Sequence, residues 1–348
     1  MQNQRAIVTA YGAPEVLDVH TDSALPEPDT GQVRVRVEAS SATFTDTLIR
    51  KGLYPGLNVS PPFTPGYDFV GRIDKLGAGI TGFTVGQRVA DLTQAGSNAA
   101  YLCHPAERLV PMSEAVDAAE AETLVLSYLT AYQCLHRVAQ VQQGQRILVH
   151  GGSGAVGLAF LQLGRLAGVE IVSTASAANL PLIEHHGATA IDYRAPDYDE
   201  QLRAAAGPGF AAAFDAIGGA SFRRSFRLLR EGGVLVPYGF LEMGRQVERK
   251  TLLSSLQNGL TLGLGIAQLA LWNLLPNRRS VAFYSIASLR EKRPDDFRAD
   301  LQQLVQMLEA GQIQPQIQAR FALAQIVQAH QALEAGVRGR VVLVHGSA

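Results

Sequence analysis

Residues 146–157 read Arg-Ile-Leu-Val-His-Gly-Gly-Ser-Gly-Ala-Val-Gly, and the architecture follows from them. Arg146–His150 is a short apolar run of strand character, and from Ala155 to Ala167 the sequence is helix-forming. Between them Gly152-Ser153-Gly154-Ala155-Val156-Gly157 matches GxGxxG without a mismatch, in the strand–turn–helix setting that the motif requires. In that setting Gly152 permits the tight turn, Gly154 lets a backbone approach a pyrophosphate, and Gly157 lets helix and strand pack closely. The helix N-terminus adds free N–H groups and the positive end of a dipole. The six residues predict a dinucleotide phosphate site, against the alternative of a glycine-rich turn that binds nothing.

Downstream the pattern repeats. Strands are expected at Glu170–Thr174, Ala190–Asp192, Ala211–Asp215 and Val234–Tyr238, with helices at Leu180–His186 and Ser221–Leu229 between them. Such βα alternation implies a parallel sheet covered on both faces. Ligands of such sheets bind beyond the carboxyl ends of the strands, which selects Ile217, Tyr238, Gly239 and Phe240. A site for NAD usually places an acid about 20 residues after the glycines, to hold the ribose hydroxyls. Glu170 comes too early for this, and the turn from Ala175 to Asn179 has no acid. The reading therefore favours NADPH, with NADH as the alternative. Ser173, Ser176, Asn179 and Tyr193 are neutral hydrogen-bonding candidates, and Arg194 is the nearest cation after the turn.

Upstream the texture is different. Gln32–Glu38, QVRVRVE, alternates with period two as a half-buried strand does. Phe69–Leu76 and Arg88–Leu92 are further short strands, set off by glycines, so a compact β unit is expected. Glu114–Arg137 reads as helix. After the parallel region, Val281–Ile286 reads as a strand, Phe297–Leu308 and Ala324–Glu334 as helices, and Val341–Val344 as a closing strand.

Composition narrows the function. Of 348 residues, 47% are hydrophobic and 18% charged, which suits large cores rather than disorder. The net charge of −1 shows no basic stripe for nucleic acid. No lysine occurs between Leu76 and Arg249, which excludes Schiff-base chemistry there. Two cysteines, Cys103 and Cys134, fit a reducing compartment, and the N-terminus shows no apolar leader, so a cytoplasmic protein is expected. The apolar run from Leu260 to Leu275 is interrupted by Gln268 and Asn273 and is shorter than the roughly 20 residues of a membrane span. Helix packing or a subunit contact is its reading, and peripheral membrane contact is the alternative.

Several segments together resemble the medium-chain dehydrogenase/reductase superfamily over nearly the whole chain, with similarity to its zinc-free quinone oxidoreductase branch. They are Thr43-Phe44-Thr45-Asp46-Thr47-Leu48-Ile49-Arg50 with Gly52-Leu53-Tyr54-Pro55, Pro65-Gly66-Tyr67-Asp68, and the His150–Gly157 loop. Ile191-Asp192-Tyr193, Phe214-Asp215-Ala216-Ile217-Gly218-Gly219 and Gly339-Arg340-Val341-Val342-Leu343 add to the likeness. Thr174-Ala175-Ser176 and Asn277-Arg278 are similar to the vesicle-membrane-protein homologues of that branch. The resemblance implies an α/β fold: a GroES-like β domain from residues 1–125 and 280–348, and a Rossmann domain with a doubly wound parallel sheet from residues 126–279. It also implies an active site in the cleft between them and a homodimer.

Zinc-dependent relatives place a cysteine at Thr43, a His-Glu pair at Tyr67-Asp68 and a third ligand, a cysteine, near Leu126. Threonine, tyrosine and leucine are not a tetrahedral N/S ligand set, so no zinc is expected. Without a Lewis acid, reduction of an already electron-poor acceptor is the easier chemistry. The resemblance aligns Tyr54 with the proton donor of enoyl reductases, puts Thr43 where quinone reductases carry asparagine, and puts Thr130 where relatives touch nicotinamide. Tyr54 and Thr43 are thus the catalytic candidates. The expected activity is NADPH-dependent reduction of quinones or other α,β-unsaturated carbonyls. The alternatives are 2-enoyl thioester reduction, or a regulatory NADPH-binding protein with little catalysis.

Overall fold

The computed structural model describes residues 2–54, 57, 59–239, 241, 269–274, 276–336 and 338–346. They form two compact units, one of residues 1–130 with 286–348 and the other of residues 131–285.

The first unit is built around strand β3 (Gln32–Ala42). Its alternation has the expected consequence, with Val33, Val35 and Val37 buried and Arg34 and Arg36 turned outward. The antiparallel pair β1 (Asn3–Val8) and β2 (Leu17–Asp22) precedes it. β3 pairs antiparallel with β4 (Asp68–Leu76) along one edge. Along the other, its first half pairs with β6 (Tyr101–Pro105) and its second half with β15 (Arg340–Val344). Strands β5 (Arg88–Leu92), β7 (Val110–Pro111) and β14 (Ile317–Ala322) complete a seven-stranded sheet in the order β14-β15-β3-β4-β5-β7, with β6 beside β3. One core gathers Val33, Val35, Phe69, Ile73, Val89 and Leu109. Each such side chain, fully buried, contributes about 1.5–3 kcal/mol. A second core joins Ala6 and Val8 to Ile326, Ala329, Val341 and Leu343, so both ends of the chain share it.

Arg340 is buried on β15 and holds Asp68 at 2.5 Å and Glu122 at 2.6 Å. Its Nε also donates to Glu122 at 3.3 Å and its Nη1 to the Ser127 hydroxyl at 3.2 Å, and Ser41 donates to Asp68. Burial pushes the Glu122 carboxyl up against the pull of Arg340.

The helix expected from Glu114 starts later. Asp117 caps it by accepting from the Ala119 and Glu120 amides, each at 3.1 Å. Helix α2 (Ala118–Thr123) then widens into a π turn (Leu124–Tyr128), narrows to α3 (Leu129–Gln133) and widens again (Cys134–Val138). Periodicity shows that this stretch is helical but not where it loosens.

The second unit holds six parallel strands in the order β10-β9-β8-β11-β12-β13. They are β8 (Arg146–His150), β9 (Glu170–Ala175), β10 (Thr189–Asp192), β11 (Phe210–Asp215), β12 (Leu229–Pro237) and β13 (Ser280–Val281). With helices α4 (Ala155–Leu166), α5 (Leu180–His185), α6 (Tyr198–Ala206) and α7 (Ala220–Arg227), this is the doubly wound order of a dinucleotide-binding sheet. Its core collects Leu148, Val172, Leu202, Phe210, Phe222, Phe226 and Leu235.

The strand expected at Val281–Ile286 is cut to Ser280–Val281, which lies opposite Val234 and Leu235 of β12. Ala282 and Tyr284 still donate to the Leu235 and Pro237 carbonyls, and α8 (Ile286–Lys292) begins directly after. Two further helices, α9 (Pro294–Glu309) and α10 (Ile326–Ala335), return to the first unit. Of the apolar run 260–275, residues 260–268 and 275 lie outside the described residues. Of the rest, Leu269 is buried and Trp272 packs on Phe226 with ring centroids 4.8 Å apart. No described helix is long and apolar enough to cross a membrane.

Candidate active site

In the second unit the chain leaves β8 at His150 and turns through Gly151, whose φ of +73° is the left-handed conformation. The tight turn therefore falls to Gly151 and not, as the motif suggested, to Gly152. Gly152 is needed for space, since a Cβ there would lie 2.2 Å from the Ser173 Oγ. A Cβ on Gly157 would lie 2.2 Å from the Gly151 carbonyl oxygen and 2.7 Å from the Gly152 Cα. Gly154 differs from both: among the described residues its Cβ would meet only the Gly151 oxygen, at 3.4 Å.

Gly154 caps α4, and the first intrahelical bond runs from the Leu158 amide to the Gly154 carbonyl. The amides of Ala155, Val156 and Gly157 thus have no partner within the helix. Ser153 accepts from the Asn179 side chain at 3.2 Å. A glycine beside helix-end amides that have no partner within the helix fits a pyrophosphate.

Beyond β9, Ser176 and Asn179 are half-buried and Tyr193 is exposed. The Tyr193 amide donates to the Ala175 carbonyl, and the Arg194 guanidinium stacks over the Tyr193 ring at 5.3 Å. An acid does stand at this end of the sheet, since Asp192 lies opposite Ala175 on the neighbouring strand. Its Oδ1 accepts from the Arg194 amide at 2.9 Å. Counting from the glycines misses it because it arrives from the next strand. Ser173 is placed otherwise than expected: its hydroxyl is buried, packs on Gly152 and donates to the Val149 carbonyl at 2.9 Å. It is a packing residue.

At the ends of β11 and β12, the Ile217 amide donates to Asp215 and the Tyr238 amide to the Asp215 carbonyl. Gly239 lies so close to Ala216 that a Cβ would come within 2.9 Å of the Ala216 Cβ. Tyr238 rests on Phe160, and burial pushes its phenol up. Phe240 lies outside the described residues. Thr130 is buried on α3 and counts with the first unit.

In the first unit Thr43 caps α1 (Phe44–Arg50) in a reciprocal box. Its hydroxyl accepts from the Asp46 amide at 3.0 Å and donates to the Asp46 carboxylate at 2.6 Å. That carboxylate also accepts from the amides of Thr43 and Gly66. Thr43's one proton is thereby engaged in the cap. Burial lifts the Asp46 carboxyl to about 6, against the pull of these donors.

After α1 the chain turns at Gly52 and presents Tyr54, whose hydroxyl lies 2.9 Å from that of Tyr67. Tyr67 is 1% exposed and the two rings meet edge to face at 80°. Gly66 sets Tyr67 in place: its φ is +110°, and a Cβ would come within 2.4 Å of the Asn98 amide nitrogen. Burial pushes both phenols up, with the negative charge of Asp46 adding to it. Both stay neutral near pH 7 and both remain donors. In the sequence Tyr67 stands in the Pro65–Asp68 segment, at a position where zinc-dependent relatives keep a ligand. Its part in a phenol pair, thirteen residues from Tyr54, has no local signal.

Among the described residues, no group of three His, Cys, Asp or Glu side chains is placed to hold a metal. Cys103 and Cys134 are free thiols, and burial pushes both up.

Residues 186–343 match the family model described as zinc-binding dehydrogenase, and residues 29–114 match the alcohol dehydrogenase GroES-like domain. The former range does not include Thr43, Tyr67 or Leu126. The chain is 30% identical to a quinone oxidoreductase of Pseudomonas aeruginosa over 336 residues, which cover 95% of this chain and 96% of that protein. It is 33% identical over 239 residues to the synaptic vesicle membrane protein VAT-1 homolog of Danio rerio. That alignment takes in 68% of this chain and spans about half, 49%, of the relative's length. A solved mycobacterial quinone oxidoreductase superposes with a TM-score of 0.78 at 27% identity, covering 98% of this chain and 99% of that one. The chain belongs to the medium-chain dehydrogenase/reductase superfamily of oxidoreductases. Within it, the chain falls in the quinone oxidoreductase-like branch.

Proposed function

We propose that the protein is a zinc-independent, NADPH-dependent reductase of quinones and other α,β-unsaturated carbonyls. The observation that carries the reading is the Tyr54–Tyr67 pair, in which a neutral phenol donor is backed by a second, buried one. Thr43 caps a helix and Tyr67 bonds Tyr54, so the side chains where zinc-dependent relatives keep ligands are engaged otherwise.

In this reading Gly152–Gly157 and the first amides of α4 hold the pyrophosphate. Ser176, Asn179 and Tyr193 face the adenosine ribose. Arg194 meets a 2′-phosphate, and its backbone bond to Asp192 leaves the guanidinium to do so. Ile217, Tyr238 and Gly239 offer backbone to the nicotinamide, and the family resemblance assigns Thr130 to the same cofactor. Bound there, the reduced nicotinamide supplies a hydride to the acceptor's electron-poor carbon. Tyr54 donates a hydrogen bond to the acceptor oxygen and then its proton. Tyr67 donates to the Tyr54 oxygen as it gains charge, and a buried, pre-aimed donor is most effective when charge develops. Thr43 and Asp46 fix the helix that leads into Tyr54. The same reading takes the protein to act in the cytoplasm as a homodimer, which sedimentation velocity checks.

The test follows NADPH and then NADH at 340 nm against 1,4-benzoquinone, 9,10-phenanthrenequinone, an enone and a 2-enoyl-CoA. Quinone or enone turnover with NADPH is expected, falling about 10²–10⁴-fold in Tyr54→Phe and less in Tyr67→Phe. Turnover unchanged in Tyr54→Phe removes the phenol from the chemistry. Preference for the CoA thioester selects the enoyl reductase reading. NADPH binding without turnover of any acceptor, together with sedimentation on liposomes, selects the regulatory one.

A further inference from the structure

Beneath the cofactor loop lies a buried polar chain that the chemistry above does not use. His150, at the end of β8, sits between Thr174 on β9 and Ser225 on α7, with Nδ1 3.1 Å from the Thr174 hydroxyl and Nε2 2.9 Å from the Ser225 hydroxyl. Ser225 and Ser221 both donate to the Asp215 Oδ2, at 2.8 and 2.7 Å. The other Asp215 oxygen accepts from the Ile217 amide at 2.8 Å. At the far end, the Gly151 amide donates to the Thr174 hydroxyl at 3.3 Å. His150, Thr174, Asp215, Ser221 and Ser225 are all buried.

Donor counting fixes the direction of every bond. The Asp215 carboxylate only accepts, so the one proton of Ser225 goes to it. Ser225 must then accept from His150, which places the imidazole proton on Nε2. Nδ1 is left as an acceptor, and Thr174 donates to it. The Thr174 oxygen keeps its lone pairs for the Gly151 amide. Burial pushes the imidazole pKa down, so the ring stays neutral, as this arrangement needs. The chain runs without a break from the Gly151 amide, where the loop turns, to the Ile217 amide beyond β11.

We propose that His150 is a positioning residue that ties the Gly151 turn to the Ile217 loop, setting the spacing between the grip on the pyrophosphate and the backbone facing the nicotinamide. The proposal rests on the dinucleotide reading of the glycine loop. A cofactor that spans both loops feels this tie, whereas a fragment held only at Ser176, Asn179 and Tyr193 does not.

The test titrates the full-length protein and its Ser225→Ala, His150→Leu and His150→Gln variants with NADPH and with adenosine 2′-monophosphate, by calorimetry. Ser225→Ala removes one link at little steric cost, so it reports even where His150→Leu fails to fold. Ser225→Ala and His150→Leu are expected to lose NADPH affinity roughly tenfold while 2′-AMP affinity stays within about twofold. His150→Gln, which keeps a donor toward Ser225, is expected to recover part of the loss. Unchanged NADPH affinity in Ser225→Ala, or a parallel loss of both ligands, overturns the proposal. A wild-type protein that binds neither ligand instead overturns the dinucleotide reading on which it rests.

Discussion

Gly154 and Gly157 stand three residues apart in one motif and are glycines for opposite reasons. At Gly157 an added methyl has nowhere to go, with backbone atoms at 2.2 and 2.7 Å. At Gly154 no described residue comes closer than 3.4 Å to an added methyl. Gly157→Ala is therefore expected to lower unfolding free energy by about 1–3 kcal/mol, the usual range for overpacking. Gly154→Ala should leave the urea midpoint nearly unchanged and weaken NADPH binding. Paired urea and NADPH titrations check this, and a stability loss in Gly154→Ala equal to that in Gly157→Ala would sink the distinction. At this scale the sequence is informative about which residues are glycine and less so about why. The motif points to Gly152 for the turn because its spacing is counted from there, yet Gly151, outside the pattern, takes the positive φ. Ser173 looks like a ligand residue by its place near a strand end, but that strand buries it.

Helix α1 shows how an element prepares a side chain it does not contain. Its Thr43–Asp46 box fixes the helix start, and the turn after Arg50 delivers Tyr54. The box also has a pH signature. The Asp46 carboxyl lies at about 6 in the folded chain, above its ordinary 3.8. The folded state thus holds the proton more tightly, so Asp46's contribution to stability is full below about 3.8 and is lost as pH rises through 6. Relative to Asp46→Asn, the wild type should gain about 2 kcal/mol between pH 7 and pH 4.5. Urea unfolding at the two values measures this, and a pH-independent difference would remove Asp46 as the proton site. Elements with a strong period were legible in advance: β3 through its valines, and the βα units through their alternation. What was not legible depends on neighbours distant in sequence. The segment after β13 is held by the Leu235 and Pro237 carbonyls of another strand, and the Tyr54–Tyr67 pair is assembled by a glycine held against Asn98.

The whole molecule divides unequally in self-sufficiency. The second unit has its own parallel sheet and core within one continuous stretch, 131–285. The first has no such stretch, because β3 needs β15 along one edge and the core around Ala6 and Val8 needs Ile326 and Leu343. A fragment of residues 131–285 is expected to be soluble and to retain NADPH binding weaker than the full chain. A fragment ending at residue 285 is expected to aggregate, since β3 and that core lose their partners. Expression trials with calorimetric NADPH titration of the 131–285 fragment test both expectations. An insoluble 131–285 fragment would mean that its sheet depends on the rest of the chain.

The pairing of β3 with β15 also sets an order in time. During synthesis, β3 emerges from the ribosome long before β15 exists to meet it, and the contact between Ser40 and His345 closes a separation of 305 residues. At roughly 5–20 residues per second, the first strands wait about a quarter of a minute to a minute with one edge open. The second unit, residues 131–285, is complete before that edge closes. A nascent chain of this protein is thus most vulnerable to aggregation while its middle is already folded, and trigger-type chaperones that shield early strands should matter more to its yield than those acting after release.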